Sequence, residues 1–289
     1  MNIKQRLPWR VKMAVKIILS RIPSGYRMWQ RLNLFKHGGM EQPQYAMQVF
    51  TTHFNRVNFV NKHAAFTALE IGPGDTLFSG MIARAFGASS CWLMDVGQFA
   101  RRDIVPYIKM AAVLRGKGLS APDVEDDHSL GDVLLACGGR YLTEGVHSWH
   151  EIPDASVDFI FSQAVLEHIR RRDFPLLLRE MRRVLRPTGV CSHRVDLQDH
   201  LNGGLNNLRF STALWESDFM AHSGFYTNRI RFGEMLHYFA EANFDVEVLQ
   251  VERFASLPTP RSRIAPEFRN LPESDLLVSG FDVVLRPAG

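Results

Sequence analysis

Ala68-Leu-Glu-Ile-Gly-Pro-Gly-Asp-Thr-Leu-Phe-Ser-Gly80 reads as a short apolar strand, a tight glycine turn and the start of a helix. Leu69 and Ile71 are strand residues, and Glu70 sets a carboxylate at the strand's end. Gly72 and Gly74 permit backbone angles and close approaches that a side chain forbids. Asp75 or Thr76 is expected to cap a helix continuing through Met81 to Phe86. Such a turn presents free backbone N–H groups to a ligand.

Outward from this loop, a second apolar strand, Ser90-Cys-Trp-Leu-Met-Asp-Val96, ends on an acid twenty-five residues after Glu70. A carboxylate there, Asp95, can accept hydrogen bonds from both ribose hydroxyls of an adenosine. The next signal is Ile152-Pro-Asp-Ala-Ser-Val-Asp-Phe-Ile-Phe-Ser-Gln-Ala-Val-Leu-Glu-His-Ile169, a turn, an apolar strand and a helix start. It is followed by Leu178-Arg-Glu-Met-Arg-Arg-Val-Leu-Arg-Pro-Thr-Gly-Val190, a helix, a turn and another strand. The dinucleotide fingerprint G-x-G-x-x-G is not met, because its third glycine position is Leu77.

In this order and spacing the four segments resemble the class I S-adenosylmethionine (SAM) methyltransferases. Glu70-x-Gly72-x-Gly74 is similar to the family's first motif, although Thr76 stands at its usual third glycine. The resemblance implies an α/β fold, a doubly wound and mostly parallel seven-stranded sheet of the Rossmann-like kind. Its last strand would be antiparallel, with an N-terminal helical extension. It implies SAM as cofactor, held by Glu70, Gly72, Gly74, Asp75, Asp95, Val96, Ser162 and Gln163, with Gln163 near the transferred methyl. For the adenine contact after the third strand Glu144, His147 and Trp149 are candidates, and Glu144 is preferred. The expected strands are 66–71, 90–95, 139–143, 157–162 and 189–196, then 245–254 and 281–286. Helices are expected near 76–86, 102–116, 164–169, 173–185 and 232–243, with a surface loop at 120–128 and a lid or surface excursion at 258–272.

The 289 residues accommodate a domain at 59–289 and a basic helical extension at 1–58. The net charge of +4 is unevenly distributed. Residues 1–40 hold nine Lys or Arg and no acid, so the remainder carries about −5, which argues against a nucleic-acid footprint on the core. Three scattered cysteines make neither a disulfide framework nor a cysteine zinc site, and a reducing cytoplasm fits them. In the extension, Val11, Ala14, Val15, Ile18 and Ile22 recur at helical spacing, with Lys12 and Lys16 on the other side. The segment is too interrupted to span a membrane. It either lies peripherally on an anionic inner membrane face, with Trp9, Tyr26 and Trp29 near the interface, or packs over the cleft, or makes a dimer contact. Pro23-Ser-Gly25 and His37-Gly-Gly39 are expected to break helices, and a further helix is expected from Gln42 to about Phe59.

Methyl transfer from an activated donor requires alignment, exclusion of water and, for a hydroxyl acceptor, a base. His193-Arg-Val-Asp-Leu-Gln-Asp-His200 concentrates such groups after the fifth strand, and His200 with Asp196 is the expected catalytic pair if the turn is helical. Tyr226, Asn228 and Arg229 are expected to hydrogen-bond substrate hydroxyls or pair with a phosphate or carboxylate; Thr227 or Asn228 is alternatively a helix cap. No metal is expected, since His147, His150, Glu151, Glu167, His168, Asp196 and His200 lack the His-x-x-x-His spacing of a helical zinc site. A finer similarity, in Asp196-x-x-Asp-His200, 207–210 and 223–229, is to methyltransferases of bacterial surface polysaccharide synthesis. It implies O-methylation of a sugar, with a small-molecule or lipid-linked sugar acceptor. A phenolic, quinone-like or lipid acceptor, and a non-enzymatic SAM-binding module, are the alternatives.

Overall fold

The computed structural model describes residues 8–21 and 39–289. The expectations for Pro23, Gly25, Tyr26, Trp29 and His37 lie outside the described residues.

Apolar runs become strands where both faces are covered. β1 (Phe66–Ile71), β2 (Ala88–Met94), β3 (Gly139–Leu142), β4 (Val157–Gln163), β5 (Leu185–Asp196), β6 (Phe244–Arg253) and β7 (Val278–Pro287) form one sheet in the order β3-β2-β1-β4-β5-β7-β6. The first five pair in parallel, whereas β7 runs antiparallel to both β5 and β6. Strand order reverses between β1 and β4, and open α/β sheets bind ligands at the carboxyl ends beside such a reversal.

Alternating strand residues feed two cores. α1 (Trp9–Ser20) packs peripherally on the 201–226 segment, whereas α2 (Pro43–Asn55), α3 (Phe78–Ala85), α4 (Val105–Gly116) and α5 (Leu130–Ala136) lie against one side of the sheet. Phe50 and Phe54 of α2 pack within about 6 Å of Phe159, centroid to centroid, so α2 shares the core of the sheet. On the other side are α6 (Phe174–Val184) and α7 (Phe232–Glu241). Phe174, Leu177, Leu178, Met181 and Val184 make one buried stripe along α6. Burying each such side chain is worth about 1.5–3 kcal/mol, enough to hold a helix whose other face bears Arg179, Arg182 and Arg183.

The structure changes several local expectations. α5 arises in a stretch read only as following a loop; Ser129 and Asp132 cap it reciprocally. The expected helix at 164–169 is a single 3-10 turn, Leu166–His168. The excursion at 258–272 is ordered. It folds as short turns, with Ile264 and Phe268 packed on Leu205, Leu208 and Leu276.

The first helix also presents the opposite face from the one its spacing suggested. Trp9, Met13 and Ile17 pack against the cluster of Leu201, Trp215, Met220 and Phe225. Lys12 and Lys16 point inward, donating to Asn202 Oδ1 at 2.5 Å and to the His200 carbonyl at 3.0 Å. Val11, Val15 and Ile18 remain exposed. Among the described residues no helix is long and apolar enough to cross a membrane.

Candidate SAM and methyl-transfer site

The glycine loop emerges from β1 at the reversal. Gly72 has φ +76° and Gly74 φ +70°, a region that L side chains enter at a cost. A Cβ at Gly72 would stand 2.5 Å from Val165 Cγ2, so the loop is pressed against the segment that leaves β4. Gly72 N–H donates to the Met94 carbonyl at 2.8 Å and Gly74 N–H to Asp95 Oδ2 at 3.1 Å. Asp95 Oδ1 accepts the Val96 N–H at 2.7 Å. The second-strand acid is thereby oriented by the loop itself. Gly145 N–H donates to the Asp95 carbonyl at 2.9 Å, which brings the exposed Glu144 to the same edge, next to the exposed Val96.

Asp75 and Thr76 do not cap α3. The helix begins at Phe78 with no side-chain cap, because the loop is two residues longer than expected. The Asp75 carbonyl accepts Arg101 N–H, Thr76 Oγ1 donates to the Met40 carbonyl, and Leu77 N–H donates to Tyr107 Oη.

Glu70 is 2% exposed, and burial raises its carboxyl to about 8. One of its oxygens, Oε2, is buried with no hydrogen-bond partner among the described residues. An acceptor left in this state suits a cationic donor such as the ammonium of the methionine end of SAM, and with the glycine cradle it is the observation that fits the cofactor to this loop. It also has a cost for the free protein. The unfolded carboxyl ionises near its ordinary value of 4.5 and the folded one near 8, so between these pH values the folded state holds a proton that the unfolded state has lost. Stability therefore falls as pH rises across that window. Glu70→Gln is expected to match the parent below pH 4.5 and to exceed it increasingly up to pH 8. Urea unfolding at pH 5 and pH 8 checks this, and an equal difference at both would refute it.

Gln163 ends β4, and a residue unnoticed in the sequence sets it. His53 of α2, 1% exposed, places Nε2 3.0 Å from Gln163 Oε1 and Nδ1 2.8 Å from Ser192 Oγ. Burial lowers its imidazole to about 4, so the ring is neutral and Nε2–H donates to the amide oxygen. The only signal in the sequence was a histidine at an otherwise apolar helix position. Ser162, named as a cofactor contact, is fully buried and hydrogen-bonds His193 Nδ1 at 2.7 Å instead.

The expected Asp196–His200 pair does not form, because the chain turns irregularly after β5. Asp199 organises that turn, its carboxylate accepting the N–H groups of Leu201, Asn202 and Asn206. Asp196 Oδ1 instead accepts Gln198 N–H at 2.9 Å. His200 stacks on His168 at 4.7 Å between centroids and 18° between planes. Burial lowers His200 to about 4, so its imidazole is neutral at pH 7. Glu167, 1% exposed, lies beneath, its Oε1 accepting Asp196 N–H at 3.3 Å.

Tyr226, Asn228 and Arg229 need a correction. All three are buried and tied to the scaffold. Tyr226 Oη donates to Glu216 Oε2 at 2.8 Å, and Asn228 Nδ2 bridges the carbonyls of Leu166 and Ile169. Arg229 donates to the Phe210 carbonyl at 2.7 Å and lies over the Trp215 and Phe268 rings. These bonds hold the 166–169 turn and the 207–230 segment in place.

Strand order, glycine loop and strand-end acid together give the Rossmann-like fold of the class I SAM-dependent methyltransferases. Residues 132–192 match the family model described as "Methyltransferase domain". No curated relative matches the chain. Among solved structures, an S-adenosylmethionine dependent methyltransferase from Mesorhizobium loti is 17% identical, with TM-score 0.43, covering 86% of this chain and 98% of its own. The YcgJ protein from Bacillus subtilis is 16% identical, with TM-score 0.43, over 85% and 100%. A SAM-dependent methyltransferase from Methanosarcina mazei is 16% identical, with TM-score 0.46, over 80% and 95%.

Proposed function

We propose that the protein methylates a hydroxyl oxygen of a sugar acceptor. The observation that carries this reading is the polar, histidine-bearing wall at the carboxyl ends of β4 and β5: Gln163, Glu167, His168, Asp196 and His200. A hydroxyl-rich acceptor requires hydrogen-bonding partners and an outlet for a proton. A phenolic or quinone-like acceptor would require an open apolar box, and the segment available to build one closes on Leu205 and Leu208 instead.

SAM, when bound, supplies a methyl group already activated on a sulfonium. Glu70 and the 72–74 loop are assigned to its methionine end, Asp95 and Val96 to the ribose and Glu144 to the adenine. Gln163, fixed by His53, orients the acceptor. The neutral His200 imidazole, stacked on His168, takes the hydroxyl proton, while Asp196 lines the same wall without pairing with it. A lipid-linked acceptor at the inner membrane face would be served by the exposed Val11, Val15 and Ile18 stripe.

The test is donor-labelled methyl transfer to nucleotide- and lipid-linked sugars. His200→Ala is expected to lower kcat by about 10²–10⁴-fold while calorimetric SAM binding is retained. Near-normal turnover in that variant would remove His200 from the chemistry. SAM binding by wild type without transfer to any acceptor would favour a non-enzymatic SAM-binding module.

A further inference from the structure

We infer that Glu167, His168 and His200 form a binding site for one divalent transition-metal ion, of the zinc, cobalt or manganese type. Each offers a ligand atom, and the three atoms lie within 4.8 Å of one another. A tetrahedral ion with bonds of about 2.1 Å separates its ligands by roughly 3.4 Å, and modest rotation of the two rings covers the difference. The donor set of two imidazoles and one carboxylate suits these borderline ions.

Three independent features make this a built site. First, Glu167 Oε2 and His200 Nε2 are both buried without a hydrogen-bond partner among the described residues. Buried polar atoms are ordinarily satisfied, and two orphaned polar atoms within one cluster of ligand-type side chains fit a cation between them. Second, the ligand side chains are held from behind as metal ligands usually are. His168 Nδ1 lies 2.9 Å from the Tyr226 carbonyl; a carbonyl only accepts, so Nδ1 carries the proton and the lone pair is on Nε2. Glu167 Oε1 accepts Asp196 N–H, leaving Oε2 to point elsewhere. Third, Asn228 clamps the 166–169 turn through two carbonyls, and Lys16 of α1 fastens the His200 carbonyl. The ligands come from two separate connections, one after β4 and one after β5, so no sequence spacing announces them.

The site deepens the function proposed above, and its use in catalysis rests on that reading: an ion there would bind an acceptor oxygen, and His200 would act as its ligand instead of as a free base. The binding itself can be measured without any acceptor. Chelator-stripped full-length protein is titrated with Co²⁺ alone, followed by visible absorption and calorimetry. One saturable equivalent with a ligand-field spectrum is expected, and His168→Ala and His200→Ala are each expected to weaken it by at least about tenfold. His128→Ala, in the separate exposed cluster of Glu125, Asp127 and His128, is expected to leave it unchanged. SAM binding by each variant reports correct folding. Should a variant not fold, X-ray absorption of the wild-type Co²⁺ complex decides, by showing or lacking scattering from two imidazoles.

No saturable binding, or binding lost only in His128→Ala, would overturn the inference and leave the free-base reading of His200 standing. Methyl transfer that proceeds unchanged in excess chelator would likewise exclude a catalytic ion without touching the methyltransferase reading. Failure of SAM to bind would defeat that reading while leaving the Co²⁺ titration valid.

Discussion

Replacing Gly72 by valine is expected to reduce SAM affinity at least about 100-fold, a loss of about 2.7 kcal/mol at 25 °C. Two causes act together. The residue sits at φ +76°, where a non-glycine residue is strained by about 1–3 kcal/mol and a β-branched one by more. Its Cβ would also meet Val165 Cγ2 at 2.5 Å and Cγ1 at 2.8 Å, well inside contact distance. Relief requires the loop to move away from the segment after β4. That movement breaks the bond from Gly74 N–H that orients Asp95. Calorimetric titration of SAM and S-adenosylhomocysteine into the variant checks this, with circular dichroism to confirm the fold. Affinity within threefold of wild type would show that the cofactor does not depend on this loop.

The second large effect concerns stability. Arg231, 2% exposed, donates to the carbonyls of Leu197, Leu276 and Val278 at 2.5–3.1 Å and to that of Asp275 at 3.2 Å. One guanidinium thus joins the end of β5, the turn before β7 and the start of α7. Burial lowers its pKa to about 10, which still leaves it charged at neutral pH. Arg231→Leu keeps much of the volume but strands three buried acceptors and a partly buried one. Breaking such an arrangement typically costs about 3–5 kcal/mol, which for a domain of this size corresponds to a fall in Tm of about 10 °C. Arg231→Lys is expected to recover only part of it, since an ammonium lacks the planar fork that reaches separated carbonyls. Thermal and urea unfolding measure both. A loss below 1 kcal/mol in Arg231→Leu would mean that the carbonyls find water instead.

The two predictions separate a residue that shapes the site from one that holds the scaffold, and the sequence treated these unequally. The seven strands were legible within a few residues because each is a short apolar run bounded by turn residues. Burial on both faces demands that composition whatever the neighbours are. Gly72 and Gly74 were legible because a positive φ requires glycine locally, and Asp95 because its distance from Glu70 spans one helix and one strand.

Arg231, by contrast, carries no local signal in the sequence that sets it apart from a solvated charge ahead of a helix. Asn228 and Arg229 looked like substrate groups because polar residues before a helix read alike whether their partners are ligand or backbone. Their partners are carbonyls up to sixty-two positions away. The face that α1 presents was set in the same way. Val11, Val15 and Ile18 have the spacing of a packed stripe, but the cluster of Trp215, Met220 and Phe225 receives Trp9, Met13 and Ile17.

What the chain determines by itself is therefore the set of strands, the glycine loop and its acids, since backbone sterics and period-two burial act within a few residues. The tertiary structure alone decides that His53 orients Gln163, that His168 stacks on His200 over Glu167, and that Asp196 stands apart from His200. Those relations depend on which loops the sheet brings to one edge, and no local preference of the chain encodes the partner that a side chain will meet there.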